Sequence, residues 1–132
     1  RYYGVTETLL PRYAWYQANG ESHTHPVGSL KPNDYGLFDM QGNVFDWCYD
    51  AYESYAASSD EALADEPETG LVADAERRVL RGGSFNNQTS NVRSANRNNN
   101  QPDNRNNNNG LRPASTLRQA VFLSCRNSQA VI

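Results

Sequence analysis

Asparagine is the side chain this 132-residue sequence concentrates. Between positions 86 and 109 it occupies twelve places, Asn86, Asn87, Asn91, Asn96, Asn98, Asn99, Asn100, Asn104, Asn106, Asn107, Asn108 and Asn109, against four elsewhere (Asn19, Asn33, Asn43, Asn127). Each amide offers donors and an acceptor on a short stem, and asparagine tolerates the left-handed backbone of irregular loops. It is also common in antibody paratopes as an adaptable polar contact. The histidines and cysteines promise less. His23 and His25 form an i, i+2 pair just before Pro26, a proline that favours extended backbone, so they share one face of the chain but lack a third ligand nearby. Cys48 and Cys125 stand in no Cys-x-x-Cys spacing and are too few for a disulfide framework, so both read as buried thiols.

Charge and length narrow the classes of function. The net charge is −3, yet it is unevenly spread. From Asp50 to Glu76 there are nine acids (Asp50, Glu53, Asp60, Glu61, Asp65, Glu66, Glu68, Asp74, Glu76) and no base, whereas Arg77 to Arg118 holds eight arginines against Asp103. An acidic run of this kind reads as a solvated loop. With Lys31 as its one lysine, the chain has no polybasic cluster to track phosphates, so nucleic acid is not an expected partner. No run of about 18 apolar residues is present, so no membrane insertion is expected. The length suits one domain, 1–132. No signal peptide is readable in the first residues, and the missing initiator Met reads as a mature, processed or excised piece. Compartment and oligomeric state are not legible.

The elements that would position these residues are short. Asn19-Gly20 and Asn33-Asp34-Tyr35-Gly36 are turn signals. Leu37 to Cys48 places apolar side chains on both sides of a Gly42-Asn43 turn and reads as core folded around a polar bend. Ala56 to Ala75 is poor in large apolar groups and reads as a surface excursion. Arg78 to Phe85 reads as a strand ending in a glycine pair that allows backbones to approach closely. Gly110 to Ala114 is an expected strand, and Val121 to Leu123 could add another.

Three blocks carry a family resemblance: Pro26 to Trp47, Arg78 to Phe85, and Arg93 to Arg97 followed by Gly110 to Ala114. Over roughly residues 1 to 115 the chain resembles the C-terminal part of the sulfatase-modifying-factor family. The resemblance implies an α+β, C-type lectin-like fold of the formylglycine-generating-enzyme subtype, irregular and loop-rich with short antiparallel strands. It also implies that the family's N-terminal part precedes Arg1. Members of the family are copper-dependent oxidases, iron-dependent sulfoxide synthases, or binding proteins with neither activity. The oxidases hold their metal with a cysteine pair, thiolates being soft ligands suited to Cu(I). The matching positions here are Asn87 and Val92, which implies that oxidase chemistry is lost and no cofactor is required. In the oxidases a structural calcium lies at the Gly-Asn turn, and the positions that match its ligands are Asp39, Asp46, Gly42 and Val44. Carboxylates and carbonyls suit that hard cation. The alternative is that both aspartates accept backbone hydrogen bonds in a tight bend.

Scaffold-like residues (Arg93, Ala95, Arg97, Gly110, Arg112) interrupt the asparagines, which separates the segment from simple low complexity. Asparagine codons carry adenine in their first two positions, and most interleaved residues can be encoded with none there. Gln88, Thr89, Gln101 and Asp103 depart from that split. The pattern resembles the variable region of diversity-generating retroelement proteins, in which template adenines are randomised, and it delimits a variable region at 84–113. The implied function is ligand binding to a protein or glycan target by a hypervariable surface. The alternatives are a catalytically inactive structural or interaction domain, or an enzyme of the family. Because all eight tyrosines lie before position 56 and both tryptophans before position 48, this copy lacks tyrosine or tryptophan anchors within the region itself, and weak binding or no target yet is expected.

Overall fold

The computed structural model describes residues 6–54 and 76–114. The expected surface excursion Ala56–Ala75, the expected strand Val121–Leu123 and Cys125 lie outside those residues. Among the described residues no helix is long and apolar enough to cross a membrane.

Strand β1, Phe45–Ala51, alternates aromatic with polar side chains at its start, the period-2 pattern of a sheet with unlike faces. Strand β2, Arg78–Arg81, carries buried Val79 and Leu80. The two pair antiparallel with Asp46 opposite Arg81 and Trp47 opposite Leu80, and an irregularity follows between Trp47 and Ala51. Strand β3, Asn98–Asn100, is made wholly of asparagine, a residue depleted in strands. It forms because β2 supplies an antiparallel template, with Leu80 opposite Asn98 and Arg78 opposite Asn100. Strand β4, Asn109–Gly110, runs parallel to Phe45 and Asp46. The sheet order is β3-β2-β1-β4. Two pairings match the antiparallel expectation and the third makes the sheet mixed. The strand expected over Gly110–Ala114 is displaced to Asn109–Gly110, and Pro113, having no N–H, could not have continued the ladder.

The core lies beside this sheet. Leu10, on a short 3-10 turn (Leu10–Arg12), packs with Ala14, Tyr16 and Val92, and Phe45, Leu80 and Phe85 are also buried. The Gly42-Asn43 bend ties the N-terminal loops to it. Gly42 has φ 75° and Asn43 φ 62°, and a Cβ on Gly42 would collide with the Trp15 carbonyl oxygen, so only glycine permits this approach. The reading of Leu37–Cys48 as core holds from Gln41 onward only. Leu37, Phe38 and Met40 are 47%, 40% and 39% exposed. Gly36 (φ 76°) and Asp39 (φ 54°) reverse the backbone just before the bend, and Asn33 Oδ1 closes the first reversal by accepting from the Tyr35 and Leu37 N–H groups.

Candidate functional site

The asparagine-rich segment begins just beyond β2. Gly82 (φ 90°) and Gly83 (φ 78°) turn the chain, and a Cβ on Gly83 would meet the Asn91 carbonyl and Val92 at 3.2 Å. The glycine pair thus provides the close approach its sequence implies. Beyond it Ser84 is fully buried and gathers asparagines from both ends of the segment. Its Oγ lies 2.7 Å from Asn86 Oδ1 and 2.8 Å from Asn87 Oδ1, and its N–H donates to Asn87 Oδ1 at 2.9 Å. Asn108 Nδ2 reaches Asn86 Oδ1 at 3.3 Å. Asn87 is further fixed by its carbonyl, which accepts from the Gln17 N–H. Val92 sits in the apolar cluster with Leu10, Ala14 and Tyr16. Neither residue can form a thiolate, and both are spent on structure.

The other asparagines lie along β3 and the turns before β4. Asn98 Oδ1 accepts from the Asn99 N–H, Asn99 Oδ1 from Arg77 Nη1, and Asn100 Oδ1 from Asn104 Nδ2, each at 2.8 to 2.9 Å. Asn91, Asn104, Asn106 and Asn107 are exposed, and Asn96 is half-buried. Asn109 is the exception, because its Nδ2 is buried without a hydrogen-bond partner. Interleaved arginines hold this irregular region by bonding to carbonyls. Arg81 Nη1 reaches the Ser94 and Asn96 oxygens, Arg97 Nη1 the Glu53 oxygen at 2.9 Å, and Arg93 Nε the nearby Ser90 oxygen.

Strand β1 and the residue after it bring aromatic groups to this region, a feature sequence reasoning did not find. Tyr52, 41% exposed, lies under the Arg97 guanidinium at 4.9 Å, and Tyr49 under that of Arg78 at 5.8 Å. Tyr52 and Arg97 are 45 positions apart (97 minus 52), and no local pattern joins them.

Asp39 and Asp46 line one open hollow of about 390 Å³ together with Gly42, Val44 and Arg112. Asp39 Oδ2 accepts from the Gly28 N–H at 2.7 Å. Arg112 donates from Nε to Asp46 Oδ2 at 3.1 Å and from Nη2 to the Asp39 carbonyl at 3.0 Å. Burial pushes the Asp46 carboxyl above the ordinary aspartate range, opposed by the Arg112 hydrogen bond and charge and assisted by the Asp39 charge. The carbonyls of Gly42 and Val44 accept no loop or turn hydrogen bond from the described backbone. Two carboxylates that line one hollow with Gly42 and Val44 suit a hard cation by donor type, with the Arg112 guanidinium as the competing positive charge.

The histidines take another role. His25 stacks on Trp15 at 3.8 Å and lies 4.4 Å from the His23 ring. His25 Nε2 and His23 Nδ1 sit near the Gly20 and Glu21 carbonyls. Asn43 grips the His25 backbone from both sides, its Oδ1 accepting from the N–H and its Nδ2 donating to the carbonyl. Among the described residues no group of three or more His, Cys, Asp or Glu could hold a metal ion. Cys48 is half-buried, and its thiol is pushed up chiefly by burial, then by the Asp50 charge.

Residues 4–117 match the family described as sulfatase-modifying factor enzyme 1-like domain. The chain is 39% identical over 122 residues to the serine/threonine-protein kinase pkn1 of Chlamydia caviae, covering 87% of this chain and 19% of that protein. It is 38% identical over 101 residues to the formylglycine-generating enzyme of Streptomyces coelicolor, covering 74% and 31%. Among solved structures it resembles Treponema denticola variable protein 1, with a TM-score of 0.62, 34% identity, and coverage of 80% of this chain and 37% of that one. The chain thus spans less than a third of the length of these two curated relatives. Its architecture is C-type lectin-like, loop-rich with a mixed sheet.

Proposed function

The chain belongs to the family of sulfatase-modifying factor enzyme 1-like domains, and from that premise we propose that it is a ligand-binding variable protein of a diversity-generating retroelement, without oxidase activity. One observation carries the reading: asparagine side chains stand at half-buried and exposed positions of a segment whose main chain is pinned by arginines, a buried serine and a buried strand. A rigid frame with changeable polar side chains is the arrangement a diversified binding surface needs. The 34% identity to a solved structure named a variable protein supports it, and so do Asn87 and Val92 at the positions where the oxidases carry cysteines. The target is a protein or glycan, with Tyr49 and Tyr52 as fixed aromatic contacts beside the changeable ones. We propose calcium as a structural ion, held by Asp39 and Asp46 carboxylates and the Gly42 and Val44 carbonyls; it would supply rigidity at the bend.

Sequencing this gene across a grown population, together with its genomic surroundings, tests the reading. Substitutions should fall at adenines of asparagine codons within 84–113, beside a template repeat and a reverse transcriptase gene. Uniform codons with neither neighbour would leave an invariant interaction domain of the same family. Purified protein given copper and a cysteine-containing sulfatase peptide should release no formylglycine, and detecting that product by mass spectrometry would overturn the non-enzymatic part.

A further inference from the structure

The twelve asparagines do not share one kind of surrounding, and we propose that all but Asn109, whose Nδ2 is buried without a partner, divide into a hydrogen-bonded frame and a smaller contact set, Asn91, Asn96, Asn106 and Asn107, whose side chains decide what is bound. The division rests on the reading of 84–113 as a binding surface and names the positions in it that carry specificity.

Frame asparagines spend their amides on the protein. Asn86, Asn87 and Asn108 converge on buried Ser84, so residues 22 positions apart (108 minus 86) form one unit. Asn100 and Asn104 pair with each other, and Asn98 and Asn99 engage the neighbouring N–H and Arg77. A ligand that recruits any of these amides must replace a bond already made, and changing one residue leaves its partner unsatisfied.

The contact set has the opposite arrangement. Its main chain is fixed: the Asn91 N–H donates to Gln88 O, the Asn96 N–H to Arg93 O, and Asn107 lies within the turn that the Asn109 N–H closes by donating to Asn106 O. The Asn96 carbonyl also accepts from Arg81. Its side-chain amides make no hydrogen bond to the described protein, and Asn91, Asn106 and Asn107 are exposed. An amide bonded only to water exchanges that bond for one to a ligand at little structural cost. Fixed backbone with an unspent side chain is the condition for varying specificity without varying the fold.

Two surface-display libraries of the full chain test the division. One randomises Asn91, Asn96, Asn106 and Asn107; the other randomises Asn86, Asn87, Asn100 and Asn108. Folded fraction is read by protease resistance, and binding by capture on immobilised lysozyme as the probe protein. The first library should keep the parent's folded fraction and yield lysozyme binders, and the second should lose folded clones several-fold. A cycle of Asn86→Ala, Asn108→Ala and the double variant should show non-additive melting shifts. Equal folded fractions in the two libraries, with an additive cycle, would overturn the frame while leaving the binding reading. Unequal folding with binders from neither library would sink the binding reading and leave the frame as a structural fact alone.

Discussion

Asn43 shows how much one amide can hold. It is 4% exposed, sits at φ 62°, and satisfies both backbone groups of His25 while its own carbonyl accepts from the Phe85 N–H. Asn43→Ala orphans two backbone groups and places alanine in the left-handed region, which should cost about 2 to 4 kcal/mol, read by denaturant titration. Asn43→Gly keeps the backbone freedom, so the difference between the two variants isolates the strain. At Asp46 the sign follows from its raised pKa. The folded state holds the proton more tightly than the unfolded chain, so the Asp46 contribution to calcium-free stability increases as pH falls through the folded pKa. Calcium needs the carboxylate, so any calcium-induced rise in melting temperature should fade as pH falls, starting above the range of an ordinary aspartate. Melting curves with calcium and with chelator across pH check this, and a calcium shift absent at every pH would return both aspartates to service as hydrogen-bond acceptors and the Arg112 partner.

Among the elements, β4 has the greatest effect for its size. Two residues, Asn109 and Gly110, attach the end of the asparagine-rich segment to β1, and two positions later Arg112 bonds Asp46 and the Asp39 carbonyl. A Cβ on Gly110 would lie 2.6 Å from Val44 Cγ2. Gly110→Ala therefore has to move Val44, beside the hollow that holds the aspartates, at a cost of roughly 1 to 3 kcal/mol of overpacking. The lowered melting temperature should be accompanied by a smaller response to calcium. Gly36→Ala is the contrast: its φ of 76° strains an alanine, but nothing lies within 4 Å of the added methyl, so any loss of stability there should leave the calcium response unchanged.

At the scale of the molecule, stability resides in a small buried set. Leu80 is fully buried between β1 and β3, and Leu80→Ala should cost about 2 to 5 kcal/mol of unfolding free energy. Leu111 is 76% exposed, and Leu111→Ser should stay within about 0.5 kcal/mol. A comparable loss at both positions would mean that the exposed leucine is covered in solution.

The sequence alone determined the family, the glycine-pinned turns and the limits of the asparagine segment, because each depends on residue identity at fixed local spacing. Turn chemistry is local: Gly42, Gly82 and Gly83 occupy left-handed backbone that few other residues accept. Only the tertiary structure decided which asparagines are spent. Asn87 and Asn91 are the same residue four positions apart, yet one amide holds buried Ser84 and the other is exposed. It also decided that Leu37, Phe38 and Met40 face outward, that Arg97 covers Tyr52, and that Arg112 stands between two aspartates. Those outcomes depend on pairings between residues tens of positions apart, which hydrogen bonding and burial select only once the sheet has brought the segments together.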